Sequence, residues 1–421
     1  MNVQSPEFWD PAALEKEWRR VFDLCHGCRR CFHLCPSFDF LFESIEQKGE
    51  DVDNLTSADF RQVLDLCYQC KLCYNHCPYT PPHRWAIDFP RLMLRAKLVQ
   101  TKREGMSLGD RFLGNTDRAG WLGSMAAPIA NRFNESRLGR SLVQSIFGVH
   151  KERHLPRYQG QTFSHWFSKR AAKAAHAAVG QNGKAALFYT CFVNYNNPEV
   201  GKATVAVLER NGVEVRCPPQ RCCGMPHLDG GDIKSAVNNA KTNVKSLIEY
   251  VRQGYAIVVP GPTCSYMLKQ EYPFLLDSDE ARAVASATQD TCEYLMGLHR
   301  EGRLATDFQN SPGKIAYHLP CHLKAQNIGY KSMDLLSAIP GASVELIDSC
   351  AGIDGTWGLK KQYFELSLKV ASRLLRGVEE AEPDHVVSDC PLAAMQISQG
   401  SGREPKHPLE ILAWAYGLEY K

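Results

Sequence analysis

Apolar positions in the first hundred residues recur at helical spacing and run into cysteines. Pro11 opens a stripe through Leu14, Trp18, Val21 and Phe22 that reaches Cys25, the spacing of an amphipathic helix with proline in its first turn. Ser57 is placed to cap a second stripe, Phe60, Val63, Leu64 and Leu66, which ends at Cys67. A third, from Asp88 to Lys102, leaves the second group of cysteines. The pattern reads helix, ligand loop, helix, ligand loop, helix. Beyond residue 180 it changes. Short apolar runs at 185–191, 213–217, 256–260, 314–319, 344–347 and 385–388 alternate with helical patterns at 198–210, 233–252, 279–300, 323–338, 358–376 and 409–416. Buried strands alternating with helices predict α/β layers with mostly parallel strands.

A chain of 421 residues exceeds one compact core and divides into two or three domains. With 44% hydrophobic and 23% charged residues it can bury such cores, and a net charge of +3 gives no reason to expect nucleic acid as a partner. Residues 1–10 lack a basic segment followed by an apolar core, so a cytoplasmic chain is expected. No apolar run is long enough to span a bilayer; the longest, 121–130, carries Pro128. Seventeen cysteines in a reducing compartment read as metal ligands rather than disulfides. Eight fall within 25–77, none within 78–190 and nine within 191–390. The expected division is 1–105 (helical, ligand-bearing), 106–180 (basic linker), 181–310 and 311–421. The linker carries Arg132, Arg137, Arg140, Lys151, Arg153, Arg157, Lys169, Arg170 and Lys173 against Glu135 and Glu152, with Leu138, Leu142, Val143, Ile146 and Phe147 on one face. Such a helix lies on an anionic membrane, in a partner's groove, or against its own domain.

Cys25-x2-Cys28-x2-Cys31-x3-Cys35-Pro36 recurs as Cys67-x2-Cys70-x2-Cys73-x3-Cys77-Pro78. Three thiolates two residues apart wrap three corners of an iron–sulfur cube, and the fourth points away to the other cube. Cys25, Cys28, Cys31 and Cys77 are thus assigned to one [4Fe–4S] cluster, and Cys67, Cys70, Cys73 and Cys35 to a second. Structural zinc favours two separated pairs per ion, a pattern these runs do not follow. His26, His33 and His76 lie in or beside the loops and are expected to shape local packing and potential.

The later cysteines fall in two series, Cys191, Cys222, Cys223 and Cys264, then Cys321, Cys350 and Cys390. Their near-equal spacing indicates an internal duplication, with strand-end cysteines gathered where α/β folds place ligands. Cys217 and Cys292 match no position of the series and are read as core thiols. The chain here resembles the iron–sulfur electron-transfer subunit of anaerobic glycerol-3-phosphate dehydrogenase. More widely it resembles the proteins that share the cysteine-rich CCG domain, among them the heterodisulfide reductases and the iron–sulfur subunits of glycolate or lactate oxidases. The likeness covers nearly the whole chain and rests on both ferredoxin runs, Cys191-Phe-Val-Asn-Tyr-Asn-Asn-Pro198, Cys222-Cys223-Gly224, Pro262-Thr263-Cys264, His318-Leu-Pro-Cys321-His322, Gly352-Ile-Asp-Gly-Thr-Trp-Gly358 and Asp389-Cys390. It implies an α/β fold in which an all-helical, two-cluster ferredoxin-like module precedes a duplicated CCG domain.

The family motif has five thiolates per repeat. Gly261 stands where the first repeat lacks one; Ala351 and Ala393 stand where the second lacks two. Four thiolates hold an additional iron–sulfur cluster or zinc at the first repeat. Three at the second leave one iron for a non-cysteine ligand, or leave the site without metal. Asp354 and His322 are candidates there, and His227 and Asp229 at the first.

No Gly-x-Gly-x-x-Gly follows a strand and no Walker loop occurs, so bound NAD, flavin or ATP is not expected. A chain with one-electron centres alone does not readily oxidise an alcohol. The expected role is an oxidoreductase component passing electrons between a flavin-containing dehydrogenase, or another redox protein, and an acceptor such as quinone at the membrane surface. The alternative is a thiol/disulfide reductase of the heterodisulfide type acting at the CCG repeats.

Overall fold

A computed structural model describes residues 3–173 and 180–420. Residues 174–179, part of the expected linker, and the side chains of residues 171–173 lie outside the described residues.

Helix α1 (Pro11–Cys28) starts at Asp10, whose carboxylate accepts from Ala12 N at 2.9 Å, and buries Leu14, Val21 and Phe22. α2 (Pro36–Gln47) is an additional helix between the ligand loops, begun by the proline that ends the first cysteine run. α3 (Ser57–Leu66) is capped by Thr56 rather than Ser57. Asp59 lies three residues after Thr56 and closes a reciprocal capping box that Ser57 is out of register to form. α4 (Leu72–His76) sits inside the second cysteine run, and α5 (Phe89–Glu104), capped by Asp88, leaves it. Phe22, Phe42, Phe60, Phe89 and Leu92 fill the core between these helices.

The segment read as a basic linker folds into α6 (Leu108–Gly114), α7 (Thr116–Met125), α8 (Ala127–Glu135) and α9 (Arg137–Phe147). The apolar run 121–130 breaks at Ala126, and Pro128 falls in the first turn of α8. Of the face predicted on α9, Val143 is buried while Leu138, Leu142 and Ile146 stay exposed.

Seven strands follow. β1 (Gly183–Leu187), β2 (Val213–Arg216), β3 (Ala256–Val259) and β4 (Thr288–Asp290) form a parallel sheet in the order β2-β1-β3-β4. β5 (Lys314–His318), β6 (Ser343–Ile347) and β7 (His385–Ser388) form a second, in the order β6-β5-β7. β4 cuts the helix predicted over 279–300 in two. Thr288 is β-branched, and Asp290 forms a capping box with Glu293 that starts a new helix at Thr291. The helix predicted over 323–338 likewise divides into Cys321–Lys324 and Lys331–Ser337. Asn327 and Gly329, between them, take left-handed backbone angles that a helix cannot hold. The pattern at 358–376 becomes a helix only from Phe364, after a short turn at Trp357–Leu359. Leu187 and Val213 of the first sheet share one core with Ile315, Tyr317 and Val387 of the second.

His407 caps the last helix (Pro408–Ala415), its Nδ1 accepting from Leu409 N at 3.2 Å, and burial pushes its imidazole down to about 3. The folded chain therefore holds this ring neutral. The stability it preserves is complete above the unfolded value near 6.5 and is lost as pH falls toward 3. Between pH 7 and 5 this should cost about 2 kcal/mol. His407→Asn, which keeps a capping acceptor, should flatten the fall in denaturation midpoint over that range, and an unchanged slope would refute the assignment.

Candidate metal centres

Each motif cysteine of the last half follows the carboxyl end of a strand. Cys191 comes after β1, Cys222 and Cys223 after β2, and Cys264 after β3; Cys321, Cys350 and Cys390 follow β5, β6 and β7. Parallel topology alone puts them along one edge of each sheet.

In the amino-terminal loops the residue directly after the second cysteine, Arg29 in one and Lys71 in the other, is left-handed. These non-glycine turns are strained, and surrounding contacts hold them. Arg29 N donates to Cys25 O at 2.8 Å, and the Lys71 ammonium donates to Gln69 Oε1 at 2.5 Å. Burial pushes the Cys25 thiol up, and the charges that bear on it next are those of Cys31, Cys77 and Cys28. Cys31, raised by burial to about 12, has Cys77 and Cys28 as its cysteine neighbours. Cys73, likewise raised by burial, faces Cys70, Cys67 and Cys35, with Cys31 beyond. Cys67 is pushed up by burial to about 11, and the Lys71 charge acts against that rise. Two four-thiol sets thus lie side by side, each drawing one member from the other loop. Their buried thiols disfavour free thiolates, the condition under which metal binding displaces protons. The donors fit two cubes.

At the first repeat, Cys222 and Cys223 are 2% exposed, and Cys264 Sγ is 3.3 Å from Cys223 Sγ. Cys222 N donates to Asp117 Oδ2 at 2.7 Å, tying α7 to this site. Gly224 follows the cysteine pair at φ 97°, where a side chain would be strained and its Cβ would stand 3.3 Å from Ala236 Cα. At Gly261 a Cβ would approach Thr190 Cγ2 to 3.2 Å. The four thiols present match the donor set of a cube or of zinc.

At the second repeat, Cys321, Cys350, Cys390, His322 and Asp354 line a cavity with about 370 Å³ of atom-free space, and Ala351 and Ala393 close it. The second ferredoxin loop packs directly onto this cavity. Tyr68 Oη lies 3.4 Å from Cys350 Sγ, and its ring is 5.0 Å from that of Trp357. Trp357 Nε1 donates to Asp65 O at 2.8 Å. His322 joins all three regions: its Nε2 is 3.2 Å from Gln69 O, its Nδ1 is 3.0 Å from Thr263 Oγ1, and its ring stacks on Tyr266.

The other candidates fall elsewhere. His227 is buried, with its Nδ1 3.5 Å from Asp232 Oδ2. Asp229, pushed up by burial to about 7, has Lys71, Asp354, His322 and Glu271 as its charged neighbours. Glu271 in turn pairs with Arg91 and lies 3.9 Å from Lys71. This buried charge web between loop and repeats had no sequence signal, because its members come from distant segments. Cys292, fully buried, lies with Asp290 and Asp389 in a group whose ligand atoms are within 4.8 Å of one another. Asp389 already accepts from Ser332 Oγ at 2.6 Å and Tyr317 Oη at 2.7 Å, which accounts for its burial without an ion.

Comparison with known proteins agrees with this layout. Residues 185–269 and 315–398 match the cysteine-rich domain CCG, and 18–103 match the Fer4-like domain of citrate utilization protein B. These matches define an iron–sulfur protein of the kind that serves as a component of oxidoreductases. The iron–sulfur subunit of anaerobic glycerol-3-phosphate dehydrogenase from Escherichia coli (strain K12) is 32% identical over 324 residues, covering 76% of this chain and 80% of the relative. Lactate utilization protein A of Geobacillus thermodenitrificans (strain NG80-2) is 30% identical over 250 residues, covering 56% of this chain and 99% of that protein. The chain belongs to the family of the anaerobic glycerol-3-phosphate dehydrogenase iron–sulfur subunit.

Proposed function

We propose that this chain is an electron-transfer subunit, taking electrons from a flavin-containing dehydrogenase and delivering them to quinone at the cytoplasmic face of a membrane. The observation that carries the reading is the contact between ferredoxin loop and second repeat, Tyr68 Oη against Cys350 Sγ at 3.4 Å. It joins the two halves into one continuous line of thiol sets. Cys25, Cys28, Cys31 and Cys77 would hold one [4Fe–4S] cluster, and Cys67, Cys70, Cys73 and Cys35 the second. Cys191, Cys222, Cys223 and Cys264 would hold a further cluster or zinc, and Cys321, Cys350 and Cys390 another cluster. Such clusters, when bound, supply one-electron exchange at potentials set by nearby charge and solvent. The chain's own residues set those conditions. Buried Lys71 places a positive charge beside the second set, and Tyr68, Trp357 and His322 keep water from the junction.

The membrane side of the proposal rests on α6–α9. Ten of the thirteen large apolar side chains exposed among the described residues lie between Leu108 and Ile146. Arg111, Arg118, Arg132 and Arg137 are exposed on the same helices. Apolar anchors among cations match an anionic lipid surface. Among the described residues no helix is long and apolar enough to cross a membrane.

The anaerobically purified protein should contain at least about eight irons, two cubes of four, with broad visible absorbance bleached by dithionite. It should be reduced by a flavoprotein that co-purifies with it, be reoxidised by a soluble quinone, and show no turnover alone with disulfides. A colourless protein holding only zinc would overturn the proposal. Steady disulfide reduction by the isolated chain would replace it with the reductase alternative.

A further inference from the structure

We propose that Asp354 is a ligand of the second repeat, its carboxylate taking the place of a missing thiolate and binding the iron that Cys321, Cys350 and Cys390 leave open. The inference rests on the reading that this repeat holds an iron–sulfur cluster. A cube presents four irons, and three thiols line the cavity here. Ala351 and Ala393, 5% and 2% exposed, occupy the two positions where the motif otherwise supplies sulfur.

Asp354 lines the same cavity. Its side chain is only 9% exposed, and its Oδ2 is buried without a hydrogen-bond partner. A buried carboxylate left unpaired is costly, so such an atom calls for a cation. The nearest cationic candidate, His322 Nε2, stands 3.8 Å away, beyond hydrogen-bond range, and faces Gln69 O instead. With Nδ1 facing Thr263 as well, both nitrogens of His322 are engaged. That leaves Asp354 as the free donor of the pair. The Asp354 charge bears on Cys321, Cys350 and Cys390 alike.

The backbone is shaped for this placement. Gly352 and Gly355 are left-handed, at φ 64° and 53°, and a Cβ on Gly352 would stand 2.4 Å from Ser367 O. The chain from Cys350 thus folds tightly enough to bring the thiol and the carboxylate four residues later to one cavity. Oxygen is a harder donor than thiolate, so the iron held there should be electronically distinct from its neighbours and more easily exchanged.

The test is Mössbauer and EPR spectroscopy of the full chain, purified anaerobically from cells grown on ⁵⁷Fe, together with its iron content. The wild type should show a distinct ferrous-like doublet equal to about one iron of a cube. Asp354→Cys should retain the iron and abolish that doublet. Asp354→Asn, equal in volume, should lose about one iron on brief ferricyanide oxidation, with a three-iron EPR signal appearing. If both variants match the wild type in spectrum and iron content while Cys321→Ser loses a cluster, the repeat is loaded but Asp354 is not its ligand. If Cys321→Ser loses no iron, the repeat holds no cluster and both readings fall.

Discussion

Iron content should be non-additive when cysteines of the two amino-terminal loops are replaced in pairs. Cys35→Ser and Cys67→Ser should each remove about four irons, one cube, and the double variant should lose no more than either alone. Cys35→Ser combined with Cys28→Ser should remove about eight. The contrast follows from the crosswise sets, in which Cys73 faces Cys35 and Cys67, while Cys25 faces Cys77. Residues serving one cofactor act as a unit, and residues serving different ones add. Were each run to hold its own cube, the two double variants would exchange results. Cys292→Ser should leave iron unchanged, because this thiol is fully buried near Asp389 Oδ1, 3.9 Å away.

Leu138→Glu with Leu142→Glu should abolish sedimentation with vesicles of equal parts phosphatidylcholine and phosphatidylglycerol. Leu138 is 81% exposed and Leu142 51%, so the substitutions remove little from the protein's own core. Inserted into lipid, each would contribute about 1.5–3 kcal/mol, and losing both should weaken binding on the order of a hundredfold or more. Arg132→Gln with Arg137→Gln should weaken it less, roughly 1 kcal/mol per residue, and only at low salt. Visible absorbance should be the same in all variants. Wild-type protein that fails to bind anionic vesicles at low salt would refute membrane docking by these helices.

Much of the fold was legible because its signals are local. The doubled cysteine runs announce themselves by spacing, and the strands β1, β2, β3, β5, β6 and β7 are apolar runs bounded by turns. β4 was hidden because Thr288–Asp290 is short and polar, set within a continuous helical pattern. The cap at Thr56 was missed in favour of its neighbour Ser57, a choice decided by the register of Asp59. At the sites, residue types could nominate Asp354 and His322 together but could not rank them. Only packing does so, since His322 has a hydrogen-bonding neighbour at both nitrogens and Asp354 Oδ2 has none. The approach of Tyr68 to Cys350 joins residues far apart in sequence, with no periodicity to reveal it.

The apolar interior common to both sheets makes the two halves of the duplication structurally dependent on each other. Ile315, Tyr317 and Val387 are shielded in part by Leu187 and Val213, so cutting the chain between the halves would leave each with a raw greasy wall. A repeat that has surrendered sulfurs at 351 and 393 must still be kept whole, as the buttress on which its better-equipped twin stands.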